Sequence, residues 1–196
     1  IAHAGFALVL LGALISTSRQ TDVSRNAKGM DLRLLSKDFS NSSDILLFKG
    51  DTVRMNEYYV HYNGKHQEGV NLYYGMDYFA VEPRDYRAGD TVRVGDMLFA
   101  ARDDHRSTDN FLTDQPAHWN APEVFSRREL WHARDWSATR PGDRLFDLEP
   151  FVQVNPRFGN VAEPSTEHWL HRDLYTHIRY ADLAMVSDTA RDGTVS

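Results

Sequence analysis

The chain has 196 residues, 22 Lys and Arg against 28 Asp and Glu, a formal net charge of −6 and no cysteine. That length is enough for one domain with a substantial core and too little for two. The acidic balance, with no basic stripe among the aromatics, excludes the electrostatic footprint of a nucleic-acid binder, and the missing cysteines exclude disulfides, thiol nucleophiles and thiolate zinc sites.

In chain order, residues 1–15 (IAHAGFALVLLGALI) are apolar, small or aromatic except for His3. A helix that is apolar all round belongs in lipid, and the run is read as part of a transmembrane helix over residues 1–18, truncated at its start, in a chain whose two ends look like cuts in a longer polypeptide. A secretory signal fits less well, since a basic leader and a small-residue cleavage site are both missing. Gly5 and Gly12 share one side of the helix, where a second membrane helix could approach closely. His3 is costly in lipid unless it faces protein, water or a metal, so a hydrogen bond to a neighbouring helix and a ligand role both remain open.

Residues 19–196 are expected to form a β domain. Runs rich in β-branched and aromatic residues cover 30–35, 45–48, 52–62, 70–81, 91–100, 145–154 and 174–184, with turn residues between them. Within 52–62 the alternation changes phase near Glu57, which predicts a bulge there, and Asn63-Gly64 then predicts a tight hairpin turn. Short strands with short connections predict a mainly β fold, a small partly open barrel of OB-like form or a sandwich.

Residues 103–142 mix charge, proline and tryptophan without alternation and read as an irregular insertion with one helix near Pro122 to Ala133. Trp119, Trp131 and Trp136 are expected to pin this excursion to the barrel, or to form a platform for a planar ligand. His105, His118 and His132 have acidic neighbours, and His168 and His171 lie three apart. A zinc or copper site is the sharp interpretation of these histidines and solvated loop positions the default one. The Asn155 to Asn160 cluster reads as a structural turn, with a docking loop as the alternative. No phosphate loop, nucleophile elbow, H-E-x-x-H or acid pair stands out, so the residues themselves point to no self-contained catalysis.

Ala2-His3-x-Gly5 opening a membrane run, then Lys49-Gly50-Asp51-Thr52-Val53 leading to Glu57-Tyr58, then Asn155-Pro156 through Asn160-Val161-Ala162-Glu163-Pro164, and finally Arg172-Asp173-Leu174-Tyr175 follow in an order that resembles the C-terminal part of CcmF-type cytochrome c maturation haem lyases. The resemblance covers most of the chain and leaves residues 103–142 unmatched. It implies a bacterial inner-membrane protein with its β domain on the periplasmic, extracytoplasmic side. Arg19, Arg25 and Lys28, read alone, favour the opposite orientation. His3 is implied to be an axial ligand to the iron of haem b, with the second axial ligand elsewhere in the parent. Implied partners are a haem chaperone, apocytochrome c, other cytochrome c maturation subunits and the membrane, with no nucleic acid. The implied activity belongs to the parent, a haem lyase of the cytochrome c synthase type, rather than to this fragment. A non-enzymatic binding module of an envelope assembly, acting through the insertion, and a purely structural anchored domain are the competing expectations.

Overall fold

A computed structural model describes residues 23–24, 26, 31–121, 125–169 and 172–179. The expected membrane segment 1–18 with His3, and also His171, lie outside the described residues. Among the described residues no helix is long and apolar enough to cross a membrane. Strand makes up 46% of them and helix 12%, so the fold is mainly β, with its principal sheet curled into half a barrel.

That sheet is an antiparallel meander. Strand β1 (Thr52–Met55) turns through Asn56-Glu57 into β2 (Tyr58–Glu68), and β2 turns at Gly69-Val70 into β3 (Asn71–Pro83). The far edge of β3 is shared by β9 (Thr139–Leu148) and β10 (Phe151–Gln153), and β11 (Val161–Glu163) closes the order beyond β10. Strands β9 and β10 pair with β3 in one register, Leu148 opposite Met76 and Phe151 opposite Tyr73. They are therefore one strand interrupted at Pro150, whose carbonyl still accepts from the Tyr74 N–H at 3.0 Å although its own nitrogen has no hydrogen to donate.

Alternation explains the core. Tyr58, Val60 and Tyr62 of β2 and Tyr74, Met76 and Tyr78 of β3 are every second residue of their strands, and all are buried with Leu148 and Val152. The hairpin of β12 (Ser165–His168) and β13 (Asp173–Thr176) covers this face with Leu174 and Thr176. Each fully buried Val contributes about 1.5–3 kcal/mol relative to its exposed state, and Val60 and Val152 are both fully enclosed.

Several local expectations changed places. The turn falls at Asn56, which takes the left-handed φ of 52°, and the bulge falls at Gly64, φ 114°, where the β2–β3 register shifts between Tyr62 and Gly64. Placing the turn at residues 56–57 sets Met55 opposite Tyr58 on the buried face, so burial of that apolar line decides the register. Of the expected run 30–35, the described residues 31–35 hold a single 3₁₀ turn, Leu32–Leu34, instead of a strand.

The excursion from the meander runs from Arg84 to Ala138, wider than the pattern change at Asp103 suggested. Arg84 N–H donates to the Ala138 carbonyl at 2.9 Å, directly beyond the Pro83–Thr139 pair. It contains β4 (Asp85–Tyr86) paired with β7 (His105–Arg106), and a three-stranded sheet in which β5 (Thr91–Val94) lies between β6 (Met97–Ala100) and β8 (Arg134–Asp135). Helix α1 (Phe111–His118) starts at Asn110, whose side-chain oxygen accepts from Leu112 N–H at 2.9 Å. Helix α2 (Arg127–His132) starts with a reciprocal Ser126–Glu129 capping box, a pairing that satisfies two otherwise orphaned donors. The excursion has its own core of Tyr86, Val92, Phe99, Phe111 and Trp119, with Trp136 packed against it. Trp119 and Trp136 thus serve this second core and not the attachment to the barrel, while Trp131 is 80% exposed and serves neither.

Candidate functional site

Three chain segments of the excursion converge on one cluster. Asp103 lies in the link between β6 and β7, His105 opens β7 opposite Tyr86, and His118 is the last residue of α1. Backbone bonds zip the end of α1 to this link: Arg102 N–H donates to the His118 carbonyl at 2.8 Å, Asn120 N–H to the Ala100 carbonyl at 2.8 Å, and Ala101 bridges Trp119. That zipper puts His118 beside Asp103.

The imidazoles of His105 and His118 stack with centroids 4.4 Å apart and planes 10° apart. Tyr86 stacks on His105 at 5.6 Å, and Trp119 meets it edge-on at 5.2 Å. Asp103 Oδ1 is 2.9 Å from His118 Nδ1 and 3.4 Å from His105 Nδ1. One donor atom from each of the three residues lies within 4.8 Å of the other two. The hydrogen bond from His118 holds the Asp103 carboxyl below the usual carboxylate range against the opposing effect of burial, and the charges of His118, His105 and Arg102 act in the same direction as the bond.

His105 is the unusual member. Its side chain is 3% exposed; Nδ1 lies 3.1 Å from the Asp103 carbonyl oxygen, and Nε2 is buried without a hydrogen-bond partner among the described residues. The default expectation of a solvated loop histidine therefore fails for His105. His132 stays apart, beside Glu129 and Thr91 in an open depression between α2 and the β5–β6 hairpin. His168 bonds Asp173 at 3.0 Å across the β12–β13 hairpin. Asp103 was not singled out from the sequence; the signal for it was the D-D-H run followed, one capped helix later, by His118 next to Trp119.

A second polar junction ties the closing hairpin to the first turn of the meander. Arg172 donates to Glu57 Oε1 at 2.5 Å and to the Tyr58 hydroxyl at 2.8 Å. Its guanidinium lies 5.1 Å from the Trp169 ring centroid, and Trp169 in turn meets Phe146 edge-on at 5.2 Å. Burial and the Glu57 charge push the Tyr58 hydroxyl up, and Arg172 pulls it partly back. The Asn155 to Asn160 cluster is a self-bonded turn: Asn155 Oδ1 accepts from Arg157 N–H at 3.0 Å and Phe158 N–H at 3.1 Å, and Gly159 has φ 88°.

His105 and His118 do not suit a haem, because axial imidazoles approach the iron from opposite faces of the porphyrin and these two are stacked on each other. His3, the residue implied for that role, lies outside the described residues. No protein-family model, curated protein or solved structure matches this chain.

Proposed function

We propose that the chain is the C-terminal part of a CcmF-type haem lyase of the bacterial inner membrane: residues 1–18 end a transmembrane helix, and residues 19–196 form its periplasmic domain, a small partly open OB-like barrel with an insertion. The observation that carries this reading is the junction of Arg172 with Glu57 and Tyr58. Two of the segments that carry the family resemblance, far apart in the chain, meet there in one ion-paired, hydrogen-bonded contact.

In this reading His3 would hold the iron of haem b. The bound haem would supply one-electron chemistry next to the site where a second haem is joined to apocytochrome c thiols. The β domain contributes a rigid surface above that site, and its partners are the haem chaperone, apocytochrome c and other maturation subunits. The test uses the intact parent in detergent and compares wild type with His3→Ala by reduced-minus-oxidised absorption. Loss of the paired b-type bands at unchanged protein level is the expected result, and equal haem content in both proteins would remove His3 from the role.

A second reading, a non-enzymatic binding module, is favoured by the excursion's separate core and by exposed Trp131 on α2. It predicts that removing residues 84–138 abolishes apocytochrome capture while haem content stays unchanged.

A further inference from the structure

We propose that Asp103, His105 and His118 form a binding site for a divalent d-block cation of the zinc type, an inference independent of the haem reading. Two imidazole nitrogens and one carboxylate oxygen suit zinc or cobalt better than calcium or magnesium, which prefer oxygen throughout. A cation about 2.1 Å from each donor in tetrahedral geometry needs donors roughly 3.4 Å apart. The carboxylate oxygen already stands 2.9 and 3.4 Å from the two Nδ1 atoms.

The three donors come from a loop, a strand and a helix end that backbone hydrogen bonds lock together. Packing requirements do not account for His105. A phenylalanine would stack equally well between Tyr86 and His118, without placing a ring nitrogen, Nδ1, 3.4 Å from the Asp103 carboxylate. The clamp of Tyr86 and Trp119 fixes His105 as the preset ligand. His118, about a third exposed at the end of α1, has room to turn its ring edge toward a shared ion. The half-exposed Asp103 carboxylate opens the site to solvent, so that water completes the coordination, as in three-ligand sites.

In the cation-free arrangement the 3.1 Å contact to the Asp103 carbonyl requires a proton on His105 Nδ1. Coordination at that atom requires the proton to sit on Nε2 instead, because a ligating imidazole nitrogen must be free of its proton.

The test is titration of the full chain, stripped with chelator, with Zn²⁺ by calorimetry and with Co²⁺ by visible absorption. One equivalent should bind, raise the thermal midpoint and give the intense visible bands of low-symmetry cobalt. Asp103→Asn and His118→Gln, both at partly exposed positions, should each weaken binding by about a hundredfold or more, while His132→Gln should leave it unchanged. Absence of stoichiometric binding in the wild type would overturn the proposal. So would equal affinity in wild type and the two ligand variants, or a matching loss in His132→Gln.

Discussion

Tyr78 and Thr176 share a hydrogen bond of 2.5 Å between two buried hydroxyls that are far apart in the chain. Tyr78→Phe leaves the Thr176 hydroxyl unpaired in the core and should cost about 1–3 kcal/mol in urea unfolding. Adding Thr176→Val removes the second polar group and should recover most of the loss; a double variant no more stable than Tyr78→Phe alone would show that packing, not the hydroxyl pair, sets the value. Arg172→Ala has a smaller expected effect, about 1 kcal/mol, because the guanidinium is 43% exposed and its ion pair is screened by water. At this scale the sequence was legible where periodicity speaks. Tyr58, Val60 and Tyr62 stand at every second position of the sequence, and that apolar line is the buried one. Partnerships across long separations, such as Asp103 with His118 or Arg172 with Glu57, leave no periodic trace, because they depend on which segments the fold brings together.

The first hairpin shows how local signals can be recognised and still be assigned to the wrong place. Asn63-Gly64 is a strong turn dipeptide, yet here Gly64 supplies the left-handed φ of a bulge inside β2. A bulge and a tight turn both need a residue free to take positive φ, and only burial of the neighbouring apolar line chooses between them. A Cβ at Gly64 would also lie 3.1 Å from the Lys49 side chain. Gly64→Ala should therefore lower the unfolding free energy measured in urea by about 1 kcal/mol or more, whereas the same change at a φ-neutral strand position would be mild. Helix α1 escaped sequence reading because its interior Pro116 obscures a segment whose start at Asn110 is well capped. The excursion's limits were misjudged for a related reason: Thr91 to Ala100 is a sound hairpin pattern, and nothing local says that it pairs with β8 instead of the main sheet.

Across the whole molecule, acid stability follows from surface carboxylates. Asp31, Asp85, Asp103 and Asp135 are held below the usual range chiefly by side-chain hydrogen bonds from Arg33, Arg106, His118 and Arg93. At Asp77 burial pushes upward, but bonds from Asn63 and Arg144 outweigh it. A carboxyl that ionises lower in the folded state stabilises it above the unfolded value and loses that contribution as pH falls through the folded one. The urea midpoint should hold to about pH 5 and decline below about pH 4; a flat profile into stronger acid would mean that the unfolded chain keeps these contacts. The mainly β character was readable from the turn-punctuated runs, whereas the division into two cores required knowledge of strand order. Because Pro83 and Thr139 face each other, replacing residues 84–138 by a short turn should leave the far-ultraviolet strand signal of the main sheet intact. The same adjacency bears on the time course of folding. Pairing β3 with β9 closes a loop as long as the whole excursion, and the entropy of closure grows only slowly, by about 0.6 kcal/mol per doubling of loop length. An excursion that condenses first around Phe111 and Trp119 would deliver its two ends already side by side, so the largest interruption in the sheet would act as the nucleus that lets its central strands meet.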